Sequence, residues 1–561
     1  MKEHKWFEKY PEGTKHEIDP DIYPSMLEML EESMKKYEGL IAYEGMDKSL
    51  KFEDIDRLTK DFAAFLQSLG LKPGDRIAIQ MPNVLQYPIA LLGSIRAGLV
   101  VVGTNPLYTA REMEHQFKDS GAKALVVLAN FASSAQKVLP QTDIEHVIVT
   151  EIGDMLGGIK KPLVNFVVKY IKKMVPSYSL PKAIKFNTAL AKGASMTYKR
   201  PTITGDDLMF LQYTGGTTGV SKGAMLTHRN ILANMLQILE WMKPKLIERK
   251  EVVVTPLPLY HIFALTVNCL AMLRIGAKNV LIVNPRDMEA FIKDMEKYPF
   301  SVLTGVNTLF NAMLNNERFR NLDFSSLKIA VGGGMAVQNA VARKWEEVTG
   351  TPLVEGYGLS ETSPLLSCNP IDGTEKIGTI GLPAPSTEII VADENGEQLE
   401  QGQVGEICAK GPQVMKGYWK RDDETRKVFV NGWFRTGDIG MMEEDGFFKI
   451  VDRKKDMILV SGFNVYPNEV EDEISKHKGV MEVAAIGVPD ERSTEAVKVF
   501  IVKKDESLTA EDIRTYCKTC LTGYKVPKYV EFMDELPKSN VGKILRRVLK
   551  EKENSKQTTN A

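Results

Sequence analysis

The residues best suited to chemistry lie in one loop rich in glycine, threonine and lysine. Residues 213–223 read Tyr-Thr-Gly-Gly-Thr-Thr-Gly-Val-Ser-Lys-Gly and follow the apolar run 208–211. Glycines let backbone N–H groups close around an anion, hydroxyls add donors, and Lys222 adds positive charge. The order Ser221-Lys222-Gly223 differs from the usual nucleotide P-loop, in which Gly-Lys precedes Ser or Thr. The loop therefore predicts a phosphate site of another kind; the alternative is a flexible surface loop.

The predicted phosphate ligands are Tyr213, Thr214, Gly215, Gly216, Thr217, Thr218, Gly219 and Lys222. Further motifs follow along the chain. They are Tyr-His-Ile-Phe at 260–263, Gly-Tyr-Gly-Leu-Ser-Glu-Thr at 356–362, Gly-Thr-Ile-Gly-Leu-Pro at 378–383, Trp-Phe-Arg-Thr-Gly-Asp at 433–438, Asp-Arg-Lys-Lys-Asp at 452–456 and Lys-Ser-Asn-Val-Gly-Lys at 538–543. This ordered set resembles the adenylate-forming superfamily, which contains acyl-CoA synthetases, peptide-synthetase adenylation domains and luciferases. The resemblance covers nearly the whole chain.

Within that superfamily, residues 432–456 and the stretch Val-Ser-Gly-Phe-Asn-Val-Tyr-Pro at 460–467 resemble bacterial long-chain fatty-acid:CoA ligases. The resemblance implies an enzyme that uses ATP to convert a long-chain fatty acid to its acyl-adenylate, releasing pyrophosphate, and then transfers the acyl group to coenzyme A. A carboxylate is a poor electrophile, so such an enzyme must neutralise and align two anions.

Catalytic roles follow from the same resemblance. Glu361 and Thr214 would hold Mg²⁺ between phosphate oxygens, since this ion prefers hard oxygen ligands. Lys543 would bridge the acyl carboxylate and the α-phosphate. His261 would lie beside the acyl pocket; a structural histidine is the alternative reading.

Nucleotide and coenzyme A ligands are implied in the same way. Asp438 would accept the ribose hydroxyls with help from Arg453, and Tyr357 would stack near the adenine. Turn chemistry for Asp438 and core packing for Tyr357 are the open alternatives. Lys455 would be the hinge between domains, or else a solvated linker charge. The other predicted ligands are Gly333, Gly334, Gly356, Gly358, Thr362 and, on the pantetheine path, Gly462.

The elements that must position these residues read as α/β. Apolar residues at 55, 58, 62, 65 and 66 predict a helix over 52–69 that feeds a strand at 76–80. The same alternation returns along the chain and predicts largely parallel sheets. Residues 383–450 are Gly-rich and predict a β-rich subdomain. We expect an N-terminal domain over 1–452, a mobile α+β lid domain over 453–561 and a disordered tail after Lys550. Lys543 and the phosphate loop then meet only when the domains close.

Composition narrows the setting. The 72 basic and 73 acidic residues give a net charge of -1, which predicts no nucleic-acid partner. The N-terminus has no apolar run of signal-peptide type, and the longest apolar stretches are interrupted by Arg96 or Arg274. The five cysteines, including the pair Cys517 and Cys520, predict reduced structural thiols. We expect a cytoplasmic protein and, from base rates and family likeness, a homodimer.

One segment stands apart from this balance. Residues 158–200 contain nine lysines and one arginine but no acidic residue, with apolar side chains on one helical face between 163 and 174. Such a helix either packs on the body of the protein with its lysines in water or docks on anionic membrane lipid.

The acyl pocket is less distinct. Residues 261–273 and 302–310 are apolar enough to line a tunnel or to form ordinary core. Leu265 stands where a well-known long-chain relative has a tryptophan gate. Three other readings stay open: a loader of carrier proteins or a luciferase-type oxygenase, a non-catalytic lipid or nucleotide sensor, and an ATP hydrolase that releases orthophosphate.

Overall fold

Two largely parallel sheets form most of the large domain. The computed structural model describes residues 4–214, 220–490, 493–539 and 542–560. In one sheet all strand pairs are parallel except the last, which is a hairpin. Its strands, in spatial order, are Ile184–Lys185, His146–Thr150, Ala122–Leu128, Arg76–Gln80, Val100–Gly103, Leu208–Thr214 and Lys222–Thr227. The predicted strands at 76–80 and 146–150 are confirmed.

A second sheet has a parallel centre with antiparallel strands at both ends. In spatial order it contains Leu382–Pro383, Leu365–Cys368, Leu353–Gly358, Ile329–Gly332, Val302–Gly305, Val252–Thr255, Lys278–Leu281, Ile41–Gly45 and Lys48–Lys51. Parallel strands of this kind need crossover connections, which helices supply here. The predicted α/β class is therefore confirmed.

Two smaller sheets follow. An antiparallel sheet contains Glu388–Ala392, Gly405–Lys410, Trp433–Met442, Phe429–Val430 and Phe448–Arg453, as predicted for the β-rich region. The last sheet belongs to the smaller C-terminal domain and contains Phe463–Val465, Ile458–Val460, Thr494–Lys503, Val480–Asp490 and, in parallel, Tyr529–Phe532. The short stretch between Arg453 and Ile458 joins these two sheets, and Lys455 lies in it.

Helices cover the sheets. The α-helices are Met26–Lys36, Phe52–Ser68, Gln86–Arg96, Ala110–Ser120, Ala132–Val138, Lys160–Phe166, Phe186–Ala194, His228–Met242, Ile262–Ala264, Met272–Arg274, Met288–Met295, Asn307–Leu314, Glu317–Arg320, Asn339–Thr349, Asp422–Val428, Pro467–Ser475, Ala510–Cys520 and Arg546–Asn560. Val167–Ile171 and Leu265–Ala271 are π-helical, and Lys5–Lys9, Ala129–Phe131, Leu139–Gln141, Ser360–Thr362 and Gly523–Lys525 are 3₁₀ turns. None of the helices in these ranges combines the length and apolar character needed to cross a bilayer.

The helix Phe52–Ser68 shows why the periodic pattern was a good guide. Its buried face includes Ile55, Phe62 and Phe65, which are at most 2% exposed. Burying each such side chain stabilises the fold by about 1.5–3 kcal/mol. Gly70 follows with a positive φ of 82° and ends the helix.

The prediction of a disordered C-terminal tail was wrong. The chain forms the helix Arg546–Asn560, and Leu549 on it is 1% exposed. Glu553 pairs with Lys498 of the sheet at 2.7 Å, and Lys556 pairs with Glu531 at 2.9 Å. Composition alone suggested a solvated tail, whereas long-range packing and ion pairs hold the helix against the small domain.

The basic segment folds as a short helix, Lys160–Phe166, continued by the π-helical turn Val167–Ile171. Its apolar side chains face outward. The exposed large ones are Ile159 (85%), Leu163 (58%), Phe166 (54%), Tyr170 (59%), Ile171 (65%) and Met174 (52%). Packing of this apolar face on the protein body, one of the two predicted arrangements, is therefore not what the structure shows.

Candidate active site

A cleft of about 2430 Å³ lies where the strand ends of the large domain meet the small domain. Thr214, Gly332 and Gly358 each end a strand beside it, as expected for α/β proteins, which bind ligands at the carboxyl ends of their strands. Most of the predicted site residues line this cleft: Tyr213, Thr214, Lys222, His261, Gly333, Gly334, Gly356, Tyr357, Gly358, Glu361, Asp438, Arg453, Lys455 and Lys543. Gly215, Gly216, Thr217, Thr218 and Gly219 lie outside the described residues.

Three predicted nucleotide ligands form one hydrogen-bonded group. The Tyr357 hydroxyl donates to Asp438 Oδ2 at 2.7 Å, and Arg453 Nε lies 3.2 Å from Asp438 Oδ1. Asp438 and Arg453 face each other across paired strands, so strand register fixes their separation. Burial and the Asp438 charge raise the pKa of Tyr357, which therefore remains a neutral donor. Asp438 is only 4% exposed and is held as an oriented acceptor.

The turn after strand Ile329–Gly332 contains Gly333 and Gly334, where a side chain would be hard to accommodate. A Cβ on Gly333 would lie 3.1 Å from the Gly356 carbonyl oxygen and 3.1 Å from Phe263 Cε1. Gly334 has a φ of 77°, which L side chains rarely adopt. Two strand ends thus approach closely and expose backbone groups to the cleft.

At the phosphate-loop end, Lys222 is paired. Its Nζ lies 2.6 Å from Glu424 Oε2 and 5.0 Å from the centre of the Tyr418 ring. The Tyr213 hydroxyl donates to Asp119 Oδ2 at 2.7 Å, so its hydroxyl is occupied within the protein.

Glu361 lies in the turn Ser360–Thr362 and is 7% exposed. Its Oε1 accepts a hydrogen bond from the Tyr418 hydroxyl at 2.8 Å. Thr362 is buried and its Oγ1 accepts from the Leu359 N–H at 2.9 Å, which stabilises the turn and keeps this side chain out of the cleft. Glu361 and Thr214 both line the cleft, and a buried carboxylate with a threonine hydroxyl fits Mg²⁺, which commonly takes one or two carboxylates together with substrate phosphates. Within the described ranges no three His, Cys, Asp or Glu side chains cluster as an all-protein metal cage.

The small domain brings Lys543 into the cleft. Gly542, with a φ of 81°, accepts a hydrogen bond through its carbonyl from Thr308 Oγ1 at 2.9 Å. The Lys543 N–H donates to Ser539 Oγ at 3.1 Å. Burial, and then the charge of Arg453, lower the pKa of Lys543 to about 7. A lysine poised between charge states thus faces the Asp438 group from the opposite domain.

Other contacts hold the two domains in this arrangement. Asn339 of the large domain donates through its N–H and Nδ2 to Asp472 at 3.3 and 3.2 Å. Asn311 Nδ2 donates to the Met481 carbonyl at 3.1 Å. Gly462, by contrast, lies in the exposed turn after strand Ile458–Val460 and is not among the cleft residues.

His261 begins the short helix Ile262–Ala264, and its Nδ1 accepts from the Phe263 N–H at 3.4 Å. Burial and the nearby charge of Lys543 lower the pKa of His261 to about 4. The imidazole is therefore neutral at pH 7.

Part of the cleft lining is apolar. It includes Ile238, Trp241, Met242, Leu257, Val267 and Cys368. Of the two predicted tunnel segments, Ile262, Phe263, Val267 and Val306 reach the wall. Leu265 is 2% exposed and belongs to the core. Glu355 also lines the cleft, and burial raises its pKa to about 8.

Sequence reasoning missed Trp241, Tyr418, Glu424 and Thr308. The helical spacing of residues 231–242 could have marked an apolar face near Trp241. The other three come from segments distant in sequence and carry no local signal.

Comparison with known proteins identifies the family of the chain. The AMP-binding enzyme family matches residues 30–419, and the C-terminal domain of AMP-binding enzymes matches residues 469–543. The chain belongs to the AMP-binding enzyme family, and the superfamily predicted from the motifs is confirmed.

Full-length relatives refine the assignment. The long-chain-fatty-acid–CoA ligase of Escherichia coli O157:H7 is 56% identical over 552 residues, covering 98% of each chain. Its namesake in Haemophilus influenzae is 52% identical, covering 98% of this chain and 99% of the relative. The predicted resemblance to bacterial ligases of this kind is thus confirmed.

Solved structures share the fold. ATP-bound MatB from Rhodopseudomonas palustris is 27% identical with a TM-score of 0.77, covering 94% of this chain and 98% of that one. The anthranilate CoA ligase AuaEII, in complex with anthranoyl-AMP, has a TM-score of 0.86 at 23% identity, covering 96% of this chain and 100% of that one. The latter likeness concerns the fold alone.

Proposed function

We propose that this chain is a long-chain fatty-acid:CoA ligase, which forms acyl-AMP and pyrophosphate from a fatty acid and ATP and then transfers the acyl group to coenzyme A. The observation that carries the proposal is that Lys543 and the Tyr357–Asp438–Arg453 group line one cleft whose lining is apolar in another part. Such a cleft suits a molecule with an anionic head and an apolar tail. The printed names of the full-length relatives support the same reaction.

In this proposal each residue acts on a stated part of the substrates. Asp438, oriented by Tyr357 and Arg453, accepts the ribose hydroxyls. Gly333, Gly334 and Gly356 let backbone approach the adenine, with Tyr357 beside it; Gly358 and Thr362 stabilise the adjoining turn. Lys222 and the backbone of 213–219 hold phosphate oxygens.

The adenylation step needs two anions to meet. Lys543 places its ammonium between the acyl carboxylate and the α-phosphate, which lowers their repulsion as the carboxylate oxygen attacks phosphorus and pyrophosphate leaves. Neutral His261 adds no positive charge there and directs the carboxylate by hydrogen bonding. Glu361 and Thr214 would hold Mg²⁺, which neutralises phosphate charge when it is bound.

The second step needs the lysine to leave. We infer a boundary at residues 452 and 453, with Lys455 as the hinge between the two small sheets. Rotation about it would withdraw Lys543 and turn the exposed Gly462 loop toward the cleft, where it would border the pantetheine path.

The proposal is tested by pyrophosphate release with ATP, Mg²⁺ and fatty acids of increasing length, with and without coenzyme A. Acid-dependent pyrophosphate and a CoA thioester, both greatest with long chains, are the expected result. An adenylate that coenzyme A does not discharge would favour a carrier-protein loader or an oxygenase. Orthophosphate release would favour a hydrolase, and no acid-dependent turnover would favour a sensor.

We further propose that the segment 158–200 docks on anionic membrane lipid through its outward-facing part, residues 159–174. Its exposed apolar side chains, among them Phe166 and Ile171, stand beside lysines and no acidic residue within that segment. Lysines near an anionic surface contribute about 1 kcal/mol each. A cytoplasmic location agrees with the five free cysteines.

Lys169→Glu with Lys172→Glu is expected to abolish co-sedimentation with phosphatidylserine-containing vesicles. A matched pair on another surface, Lys245→Glu with Lys250→Glu, controls for net charge and should bind as the wild type does. Equal binding by both pairs would contradict the docking proposal. A homodimer is also proposed, from base rates, and light scattering on the purified chain tests it.

A further inference from the structure

A segment distant in sequence, residues 416–428, lies along the strand that carries Lys222. The Trp419 N–H donates to the Gly223 carbonyl at 2.8 Å, and the Met225 N–H donates to the Gly417 carbonyl at 2.9 Å. Ala224 and Tyr418 pair as an antiparallel bridge. This backbone pairing fixes the position of the 416–428 segment over the phosphate end of the cleft.

The 416–428 segment occupies two proposed ligands at once. Glu424 Oε2 lies 2.6 Å from Lys222 Nζ, and the Tyr418 hydroxyl donates to Glu361 Oε1 at 2.8 Å. The side chains of Lys222 and Glu424 are 16% and 33% exposed, so the pair is partly shielded from water. Glu424 Oε1 also accepts from Lys427 at 2.8 Å.

Local structure positions the Glu424 side chain toward Lys222. Thr425 Oγ1 accepts from the Tyr418 N–H at 2.8 Å and donates to the Arg421 carbonyl at 2.9 Å, which holds the first turn of helix Asp422–Val428 against the segment before it. Asp423, the neighbouring carboxylate, is 82% exposed and pairs with Arg426 instead. Two adjacent acids thus differ in one respect that matters, which is contact with Lys222.

We propose that Glu424 holds Lys222 in the empty enzyme and is displaced from it by the triphosphate of ATP, so that this carboxylate sets the affinity for ATP and for pyrophosphate. The inference rests on the proposed function, in which Lys222 is a phosphate ligand. If Lys222 contacted Glu424 and a phosphate of ATP at the same time, the carboxylate and the phosphate would repel each other. Binding of the nucleotide must therefore overcome the Lys222–Glu424 pair, which lowers the apparent affinity.

Pyrophosphate competes with the Glu424 carboxylate for Lys222 in the same way. When the acyl-adenylate has formed, Glu424 is available to recapture Lys222 as pyrophosphate departs, and this favours release of the product. Hydrogen bonds from Lys222 and Lys427 lower the pKa of Glu424 to about 2, so it stays a carboxylate at working pH.

The test measures binding of a non-hydrolysable ATP analogue with Mg²⁺ to the full chain by calorimetry. Glu424→Gln is expected to tighten binding about 1.5- to 5-fold, the range for a partly exposed ion pair. Inhibition by pyrophosphate should strengthen by a similar factor, and KM for ATP should fall while KM for the fatty acid does not change. Asp423→Asn removes the same charge one residue away and should bind as the wild type does.

A double-mutant cycle identifies the partner. Lys222→Ala should weaken binding, and Glu424→Gln should give no gain in that background. The inference would be overturned if Glu424→Gln bound the ATP analogue no more tightly than Asp423→Asn does. It would also be overturned if Glu424→Gln still tightened binding in the Lys222→Ala background. Either result would leave the proposed function intact. Unchanged binding by Lys222→Ala would overturn both the inference and the role proposed for Lys222. Melting temperatures confirm that each variant is folded.

Discussion

The two sides of the cleft are built by different means. On one side, Asp438 lies on a strand of the large domain and faces Arg453, the last residue of the paired strand at the domain boundary, because strand register fixes their positions. On the small-domain side, Lys543 is a loop residue that reaches the cleft through a few contacts between domains, such as Thr308 with the Gly542 carbonyl. A ligand group fixed by strand register stays in place through a reaction cycle. A group held by docking contacts is able to leave, which the proposed two-step chemistry requires.

The largest effect should come from the docked side. Lys543→Ala is expected to slow adenylation by about 100-fold or more, the range for losing one preorganised charge donor at a developing anion. Transfer from preformed acyl-AMP to coenzyme A should change little, because in the proposed cycle the lysine has left by then. Single-turnover pyrophosphate release and thioester formation measure the two steps. Lys518→Ala, at an exposed lysine of the same domain that is not among the cleft residues, is the matched control; equal slowing of both steps by Lys543→Ala would contradict the division of roles.

The strand-fixed side should govern nucleotide affinity. Asp438→Ala is expected to raise KM for ATP by about 10- to 100-fold, since hydrogen bonds to charged groups contribute about 1.5–3 kcal/mol. Tyr357→Phe removes only the donor that orients Asp438, and a smaller rise is expected. Initial rates at varied ATP provide the measurement. An unchanged KM in Asp438→Ala would exclude contact with the nucleotide.

The charge of Lys543 gives the comparison a pH dependence. With a pKa near 7, the lysine loses its proton as pH rises through neutrality in the empty enzyme. We therefore expect kcat/KM for adenylation to fall about tenfold per pH unit above that value, while kcat falls at higher pH because bound anions raise the lysine pKa. Lys543→Arg keeps its charge throughout this range and should lack the alkaline limb. If kcat/KM decreases in the same way at alkaline pH in the wild type and in Lys543→Arg, the decrease is due to another titrating group.

The smallest effect should follow from loosening a single docking contact. Thr308→Val removes the hydrogen bond to the Gly542 carbonyl and is expected to slow adenylation by about 2- to 10-fold, corresponding to about 0.5–1.5 kcal/mol. Thioester formation from acyl-AMP should be unaffected or slightly faster. Stopped-flow measurements of adenylation and of thioester formation test this prediction. Slower thioester formation in Thr308→Val would contradict a role limited to docking of the small domain.

The same division explains what the sequence could predict. The strand Arg76–Gln80 and the helix beginning at Phe52 were predictable because local periodicity reports burial. Most of the predicted site residues line the cleft. They could be predicted because they lie in contiguous sequence motifs. The Lys222–Glu424 pair spans 202 residues and depends on how strands pair, which no local pattern encodes. The C-terminal helix was missed for the same reason, since its partners Lys498 and Glu531 belong to other elements.

One feature of the small domain bears on the timing of the cycle. Residues on both sides of Lys543 form ion pairs, Lys538 with Glu482 at 2.7 Å and Arg546 with Glu471 at 2.7 Å. All four of these residues belong to the small domain, so we expect Lys543 to move together with that domain. In the proposed cycle, withdrawal of the lysine and admission of the thiol would then be a single event. An acyl-adenylate would not remain in a cleft that has released its lysine but has not yet turned toward its acceptor, and its loss to water would be limited.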